Sequence, residues 1–294
     1  MRPLDYTACK TLEDAVGILS ASAGPPRILA GGTDLVIELR TPGARTTSSV
    51  LDISRIAALK GITRRGEDIC VGPLTTHAGI AGDPLIADAG PLLAAASRGV
   101  GSVQIRNRGT IGGNVMNAAT CADTIPPLVA LEARFRLVSS RGVREVPAAK
   151  FFTAPYQTVA MPDELLTAIL FAPLAHGTTG VFLKLGRRNA VSISRLSVAA
   201  IVERNENGSM RSARVVPGSA TPVWSRMTGV ESMLADQHPS IELFREAGRA
   251  AAHAMVQQTG RRWSTEYKEM VLAVLVRRAL QACCGIREEG VPRP

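Results

Sequence analysis

The residues best suited to chemistry in this chain are two glycine pairs, each followed by small polar residues. The first pair lies in RILAGGTD (27–34) and the second in TIGGN (110–114). Glycine lets a chain turn with positive φ, and free backbone N–H groups at the start of a helix bind phosphate. Any Cβ at such a glycine would block the close approach of a pyrophosphate. The sequence therefore indicates two turns that contact a phosphate-bearing ligand.

Each turn also has an ordinary structural explanation. Thr33 or Asp34 could cap a helix that follows a strand, and Gly112 and Gly113 could form a structural turn. Asn114 offers both a donor and an acceptor, which suit a ribitol chain or a flavin edge. Because no side chain suited to nucleophilic catalysis lies beside either pair, the two turns together favour a bound dinucleotide.

Standard nucleotide-binding and hydrolase motifs do not occur in the sequence. GxGxxG, GxxxxGK(S/T), GxSxG and HExxH are all missing, which excludes a standard Rossmann domain and a P-loop. The four His are isolated and the five Cys form no CxxC pair, so we expect no metal or iron–sulfur site built from this chain alone. Adjacent Cys283 and Cys284 are either a redox pair or two buried thiols near a helix end.

Two charged residues outside the turns are further candidates. Asp123 precedes a predicted helix, where it either favours the helix dipole or hydrogen-bonds a cofactor. Lys184, in FLKLGRR, either places a cation beside a phosphate or flavin edge or lies on the solvent face of an edge strand. Arg187 and Arg188 follow it and could serve an acidic partner instead.

Composition limits the class of protein. The 294 residues are 46% hydrophobic and 20% charged, which is typical of a globular chain. No apolar run approaches the ~18 residues that span a bilayer, and the N-terminus lacks a signal-peptide core, so we expect a cytoplasmic protein without a membrane span. The net charge of +9 would suit nucleic acid, an acidic subunit or a phosphate-bearing cofactor, but its cations are scattered.

The predicted elements divide the chain near residue 175. The first part mixes helices with strands and carries both glycine pairs; a hairpin around Arg141-Gly142 follows the second pair. In the second part, three strand-like runs come first, and Glu206-Asn207-Gly208 joins the last two. Helices are predicted at 11–19, 91–98, 126–133, 226–235, 240–257 and 265–284, and strands at 49–53, 68–72 and 164–171. We expect a mixed first domain, then a small antiparallel sheet followed by helices.

The order of these motifs resembles the FAD-binding subunit of the xanthine dehydrogenase family of molybdenum hydroxylases. RILAGGTD, QIRNRGTIGGN and ADTIP occur in that order, and the similarity continues through DELLTAILF, FLKLGRRNAVSIS and RWSTEYKEMVL. The resemblance implies an α+β fold. A two-part FAD-binding domain of the vanillyl-alcohol oxidase type (1–175) would precede a small C-terminal α+β domain (176–294).

The resemblance also implies which residues hold FAD. The two glycine stretches match the segments that grip the pyrophosphate, and three other residues match positions close to the flavin. The implied cofactor-binding residues are Arg27, Ile28, Leu29, Ala30, Gly31, Gly32, Thr33, Asp34, Thr110, Ile111, Gly112, Gly113, Asn114, Asp123, Leu166 and Lys184. No catalytic acid or base is implied, because the flavin carries the redox chemistry.

The implied function is electron transfer within a complex. A large partner subunit would carry molybdopterin, and a small one would carry two [2Fe–2S] clusters. FAD on this chain would collect their electrons and pass them to NAD⁺ or another acceptor, in a dimer of heterotrimers. The alternatives are a stand-alone FAD-dependent oxidoreductase of the same fold and a basic nucleic-acid-binding module. The chain lacks the cysteine-bearing insertion of the 4-hydroxybenzoyl-CoA reductase branch, so no [4Fe–4S] cluster is expected.

Overall fold

The N-terminal segment forms a small parallel sheet. The structure is a computed structural model that describes residues 4–22, 24–41, 49–188 and 191–286. The sheet has the order β1–β3–β2, and the first glycine pair lies between the end of β2 and the start of α2. Its elements are β1 (Asp5–Ala8), α1 (Leu12–Ala21), β2 (Arg27–Leu29), α2 (Leu35–Arg40) and β3 (Ser49–Asp52). The predicted helix 11–19 is confirmed: the Thr11 hydroxyl accepts from the amide of Asp14 at 3.1 Å.

A five-stranded antiparallel sheet follows, with the strand order β4–β5–β10–β6–β7. Its strands are β4 (Ile62–Arg65), β5 (Asp68–Val71), β6 (Arg134–Ser139), β7 (Gly142–Pro147) and β10 (Leu165–Phe171). A short hairpin between β7 and β10 consists of β8 (Phe152–Ala154) and β9 (Gln157–Thr158). The predicted strands 49–53, 68–72 and 164–171 and the predicted β6–β7 hairpin are confirmed.

Six short helices connect β5 to β6. They are α3 (His77–Gly82), α4 (Pro84–Ala89), α5 (Pro91–Arg98), α6 (Val103–Arg108), α7 (Ile111–Asn117) and α8 (Ile125–Ala130). The sequence suggests a loop at 110–114, whereas the structure begins helix α7 there. Glycine disfavours a helix by about 1 kcal/mol per residue, but tertiary contacts compensate. The Thr110 hydroxyl caps the helix by accepting from the Gly113 amide at 3.1 Å.

The C-terminal part is an antiparallel sheet followed by three helices, as predicted. Strands β11 (Thr178–Leu185), β12 (Leu196–Arg204) and β13 (Met210–Gly218) lie in sequence order. The predicted turn between β12 and β13 is confirmed, since Gly208 has φ of +86° and its amide donates to Asn205 O. Helices α9 (Thr228–Leu234), α10 (Ile241–Thr259) and α11 (Thr265–Cys284) complete the described chain.

Strand β12 is buried on both faces and joins the two parts of the molecule. Ala199 and Ile201 pack into the core that contains the five-stranded sheet. Alternate residues of the same strand, Val198, Ala200 and Val202, pack into a second core with α10 and α11. Because side chains alternate between the faces of a strand, one strand serves both cores. The C-terminal sheet therefore lies between α5 and α8 on one side and α11 on the other.

The adjacent cysteines are buried thiols at the end of α11. Burial raises the pKa of both, that of Cys284 to about 11. The Cys283 sulfur donates to the carbonyl of Ala200 at 3.5 Å. A thiol whose pKa is raised carries little thiolate at neutral pH and is a poor nucleophile. The structural explanation therefore fits these residues better than a redox pair. Across the described ranges, no helix is both long and apolar enough to cross a membrane.

The crossing of α10 and α11 depends on a missing side chain. A Cβ on Gly248 would lie 2.3 Å from the carbonyl oxygen of Ala273. We expect Gly248→Ala to lower the thermal unfolding midpoint, because overpacking costs about 1–3 kcal/mol and exceeds the gain of about 1 kcal/mol in helix propensity. Gly17→Ala is the control, because no atom lies within 4 Å of its Cβ position in α1, and it should raise the midpoint. Equal gains in both variants would contradict this packing.

Candidate functional site

The first glycine turn contacts Arg108 and Gly109, the two residues that precede the second turn. A Cβ on Gly31 would lie 2.1 Å from the carbonyl oxygen of Arg108 and 3.0 Å from the Cα of Gly109. The Thr33 hydroxyl lies 3.6 Å from the Cβ position of Gly109. Gly31 is thus required for close approach, whereas Gly32, with φ of +77°, is required for the turn itself. The fold brings two segments about 80 residues apart into one site.

The first turn presents unpaired backbone donors. In the described part of the chain, the amides of Gly31, Gly32 and Thr33 have no hydrogen-bond acceptor. Residues 31–33 are half-buried, so a ligand at this surface could accept hydrogen bonds from these amides. Clustered N–H groups of this kind attract anions such as phosphate.

The second turn is built differently, because its amides are already paired. Ile111 N donates to Thr75 O at 3.0 Å and Gly112 N donates to Pro73 O at 2.8 Å. A Cβ on Gly112 would lie 2.4 Å from the Cβ of Pro73, so this glycine serves close packing. A Cβ on Gly113 would meet only the Thr110 hydroxyl, at 3.0 Å. Gly113 is therefore the member of the pair that leaves space beside the turn.

A buried ion pair is linked to the second turn through side-chain hydrogen bonds of neighbouring residues. Lys184 Nζ is 2.5 Å from Asp123 Oδ2 and also donates to the carbonyl of Gly99 at 2.9 Å. Ser194 donates to the other oxygen, Asp123 Oδ1, at 2.6 Å. Desolvation raises the pKa of the Asp123 carboxyl, and the ammonium of Lys184 opposes that rise. Asp123 is only 6% exposed, so its charge depends on these two partners.

The ion pair argues against the structural explanation that the sequence offered for each charged candidate, whereas their contact with a cofactor stays a prediction. Lys184 does not lie on a solvent face, because its side chain turns inward to Asp123 and is 16% exposed. Asp123 does not cap α8, which begins after Thr124. The Thr124 hydroxyl instead donates to Asn114 Oδ1 at 2.7 Å. This bond connects the segment that carries Asp123 to the second glycine turn.

The positions of the other predicted cofactor-binding residues do not show whether they contact a cofactor. Arg27 makes a bidentate ion pair with Glu38 of α2, at 2.9 and 2.7 Å. Leu166 is buried in β10, opposite Leu137 of β6. Asp34 does not cap α2 through its side chain. Ile28, Leu29 and Ala30 are half-buried at the end of β2. The assignment of these residues to a cofactor stays a prediction.

Two residues near the site have no clear signal in the sequence. Ser194 ends the FLKLGRRNAVSIS stretch, but no feature of that stretch predicts a role for its hydroxyl, which the structure places on Asp123. His77 lies at the start of α3, and its Cδ2 is 3.2 Å from the Cβ position of Gly109. Desolvation, assisted by Arg106, lowers the pKa of His77 to about 4, so the ring is neutral at neutral pH. Among the described residues, no group of three His, Cys, Asp or Glu side chains is placed to hold a metal ion.

Comparison with protein families gives two adjacent matches. Residues 2–173 match the FAD binding domain in molybdopterin dehydrogenase. Residues 181–283 match the CO dehydrogenase flavoprotein C-terminal domain.

Individual relatives match nearly the whole chain. The carbon monoxide dehydrogenase medium chain of Hydrogenophaga pseudoflava is 29% identical over 278 residues, which are 95% of this chain and 96% of that one. The xanthine dehydrogenase FAD-binding subunit of Escherichia coli O157:H7 is 30% identical over 277 residues, or 94% of each chain. The solved carbon monoxide dehydrogenase of H. pseudoflava superposes with a TM-score of 0.89 and 28% identity, covering 96% of this chain and 98% of that one.

These findings confirm the resemblance and the predicted α+β fold, in which an FAD-binding domain precedes a C-terminal antiparallel sheet with helices. One family model covers more than half of the chain, and the relatives span almost all of it. The chain therefore belongs to the family of FAD-binding medium subunits of molybdenum hydroxylases.

Proposed function

We propose that this chain is the electron-transfer subunit of a multi-subunit molybdenum hydroxylase. Its FAD receives electrons from [2Fe–2S] clusters on a small partner subunit and passes them to NAD⁺ or another acceptor. A large partner subunit carries molybdopterin, and the assembly is a dimer of heterotrimers. The observation that supports this proposal most directly is the close approach of Gly31 to Arg108 and Gly109, the residues just before the second glycine turn.

The residues at this contact fit the dinucleotide in charge and shape. The unpaired amides of Gly31, Gly32 and Thr33 would hold the pyrophosphate, and Gly113 leaves space beside the second turn. FAD, when bound, supplies the electron-transfer chemistry. The protein's part is to bind and orient the cofactor, so this role requires no catalytic acid or base from the chain.

The buried pair would position the second half of the site. Asp123 holds the ammonium of Lys184 and the hydroxyl of Ser194, which come from the two ends of the β11–β12 connection. The Thr124–Asn114 hydrogen bond ties that group to the second turn. We therefore assign Lys184 and Asp123 to the flavin side of the site and Asn114 to its edge. Thr110 and Ile111 support the turn from within α7.

We also propose that the domain boundary lies near residue 175. Strand β10 ends at Phe171 and β11 begins at Thr178, so the boundary falls in the connection between two different sheets. An FAD-binding domain (1–175) and a C-terminal domain (176–294) would then each contribute to the site, with Lys184 and Ser194 coming from the second.

The proposed function is tested by purifying a tagged copy of the full chain from its native cells. We expect FAD in the chain, and molybdenum and [2Fe–2S] clusters in two co-purifying chains. A folded protein that will not take up FAD would contradict the proposal. A chain that holds FAD, has no partners and turns over a substrate alone would instead support a stand-alone oxidoreductase.

The contact of the two turns gives a direct prediction for FAD binding. Gly31→Ala forces a methyl group into the Arg108 carbonyl, so the turns must move apart. We expect FAD affinity to fall about tenfold or more, because overpacking costs about 1–3 kcal/mol. Fluorescence titration of the apoprotein with FAD measures it. Gly82→Ala is the matched control, since its Cβ position in α3 has no atom within 4 Å; equal affinities for the two variants would contradict the contact.

The buried pair gives a prediction for the pH dependence of stability. Lys184→Met leaves the Asp123 carboxylate buried without its cation, which costs about 3–5 kcal/mol at neutral pH. Because Lys184 lowers the pKa of Asp123, the variant raises that pKa further above its value in the unfolded chain. The native state then holds the proton more tightly, so the variant loses stability as the pH rises through the raised pKa.

Thermal unfolding midpoints measured at about pH 5 and about pH 8 test the predicted direction of this change in stability. Relative to wild type, Lys184→Met should be destabilised more at the higher pH. Adding Asp123→Asn to Lys184→Met removes the titrating carboxyl and should abolish the extra pH dependence. A Lys184→Met variant whose profile runs parallel to that of wild type would show that Lys184 does not stabilise the ionised carboxylate of Asp123.

A further inference from the structure

Helix α11 is apolar on two faces, although only one of them is packed inside this chain. Leu272, Val276 and Leu280 are buried in the core with β12. Tyr267, Met270 and Val274 lie on another face, spaced three and four residues apart, and are 42%, 62% and 38% exposed. Apolar side chains that lie together on an exposed helix face are typical of a face that another chain covers. The outer face of α11 is therefore expected to be covered in the assembled protein.

The exposed face of α11 has the residue types that are common at the centre of protein–protein interfaces. Trp263, just before the helix, is 96% exposed, the highest value among the large apolar side chains of the described residues. Single exposed apolar residues need no explanation, but a contiguous group marks an interaction site. Trp, Tyr and Met are also enriched at protein interfaces. We call Trp263, Tyr267, Met270 and Val274 the α11 patch.

The charges around the α11 patch are mainly positive. Residues 261–278 contain five cations and two carboxylates. Arg195 adds another cation, whose guanidinium lies 5.6 Å from the centre of the Tyr267 ring. A surface that covers the patch must therefore present acidic groups at its rim. A second copy of this chain would bring one basic rim against another in a symmetric contact, so charge disfavours it.

Two routes connect the α11 patch to the candidate FAD site. Arg195 contacts Tyr267, while its neighbour Ser194 donates to Asp123. On the other side, Lys268 Nζ donates to Ser219 O at 2.7 Å, and the Ser219 hydroxyl donates to Thr120 O at 3.4 Å. Ser219 therefore connects the start of α11 to the segment that carries Asp123.

Exposed residues extend the apolar surface toward the same segment. Ile193 is 75% exposed and lies between Ser194 and the exposed Val191. A chain that docks on the α11 patch and reaches Ile193 would thus lie beside the proposed flavin side of the site. Proximity to the flavin is what an electron donor needs, whereas an electron acceptor such as NAD⁺ needs no apolar protein surface.

We propose that the α11 patch docks the acidic, apolar-centred surface of the iron–sulfur partner chain that delivers electrons to FAD. The inference rests on the proposed function, since that function supplies the electron-donating partner. Met270 and Trp263 form the centre of the contact, and the surrounding arginines provide its charge complementarity. Docking there requires no change within the chain, because both side chains are already exposed.

Two variants of equal charge test the docking surface. Met270→Glu introduces a carboxylate in the α11 patch, and Val143→Glu introduces one on β7, where the side chain is 64% exposed. Each is made in the tagged full chain and purified from native cells that produce the complex. Iron, acid-labile sulfide and FAD are measured per chain. We expect Met270→Glu to retain FAD and to lose co-purifying iron about tenfold or more, as at an interface hot spot, whereas Val143→Glu matches wild type.

The outcomes separate this inference from the proposed function. Wild-type iron content in both Met270→Glu and Trp263→Ser would overturn the docking surface while leaving the electron-transfer role intact. Self-association of the isolated chain, seen by sedimentation and removed by Met270→Glu, would identify a second copy as the occupant and overturn the inference. A wild-type chain that brings no iron-bearing partner would overturn the proposed function itself. Release of the iron-bearing chain by added salt would support the charge complementarity.

Discussion

The site depends on one close approach of backbone to backbone, that of Gly31 to the carbonyl of Arg108. The first turn belongs to the small parallel sheet, and Arg108 ends a helix of the layer that covers the five-stranded sheet. The two units share some core, because Leu165 of the five-stranded sheet packs in the cluster under the small sheet. The contact at Gly31 is a second place where the two units meet. A side chain at position 31 would separate them, whatever the local conformation of either turn.

The other half of the site depends on how the C-terminal sheet is held. Strand β12 contributes alternate residues to two cores, which fixes the strand in position and orientation. Lys184 lies near the end of β11 and Ser194 just before β12, so both side chains reach Asp123 from a connection anchored at each end. A buried carboxylate is stable only with such partners. The packing of β12 thus determines the electrostatics around Asp123.

Periodicity and turn residues predicted most of the secondary structure. The alternating strands, the two hairpins and the three long C-terminal stretches are local patterns, and they needed no knowledge of distant residues. The roles of the paired glycines were harder to predict from the sequence. Glycines in similar motifs are required for different physical reasons. Gly32 is needed for a positive φ, Gly31 for contact with Arg108, and Gly112 for packing on Pro73. None of those partners is near in sequence.

The same limit applied to the charged residues. A lysine near the end of an edge strand is typical of a solvent face, and only the distant Asp123 turns Lys184 inward. Ser194 lies in a stretch that carries the resemblance, but the sequence does not show that its hydroxyl binds Asp123. Arg27 shows the opposite case: it lies in a recognisable stretch, yet its side chain is engaged by Glu38. Motif order identified the family, while the role of each residue required the three-dimensional partners.

The double burial of β12 also has a consequence for exchanging parts between relatives. The connection between β10 and β11 is the natural place to join the N-terminal part of one family member to the C-terminal part of another. Such a chimera would inherit Ala199 and Ile201 from one parent and the core around them from the other. Cores tolerate substitution when their total volume is kept. Two family members should therefore combine well when the residues on the Ala199 and Ile201 face of β12 match in size. A nick at the same connection would leave both fragments associated through that face.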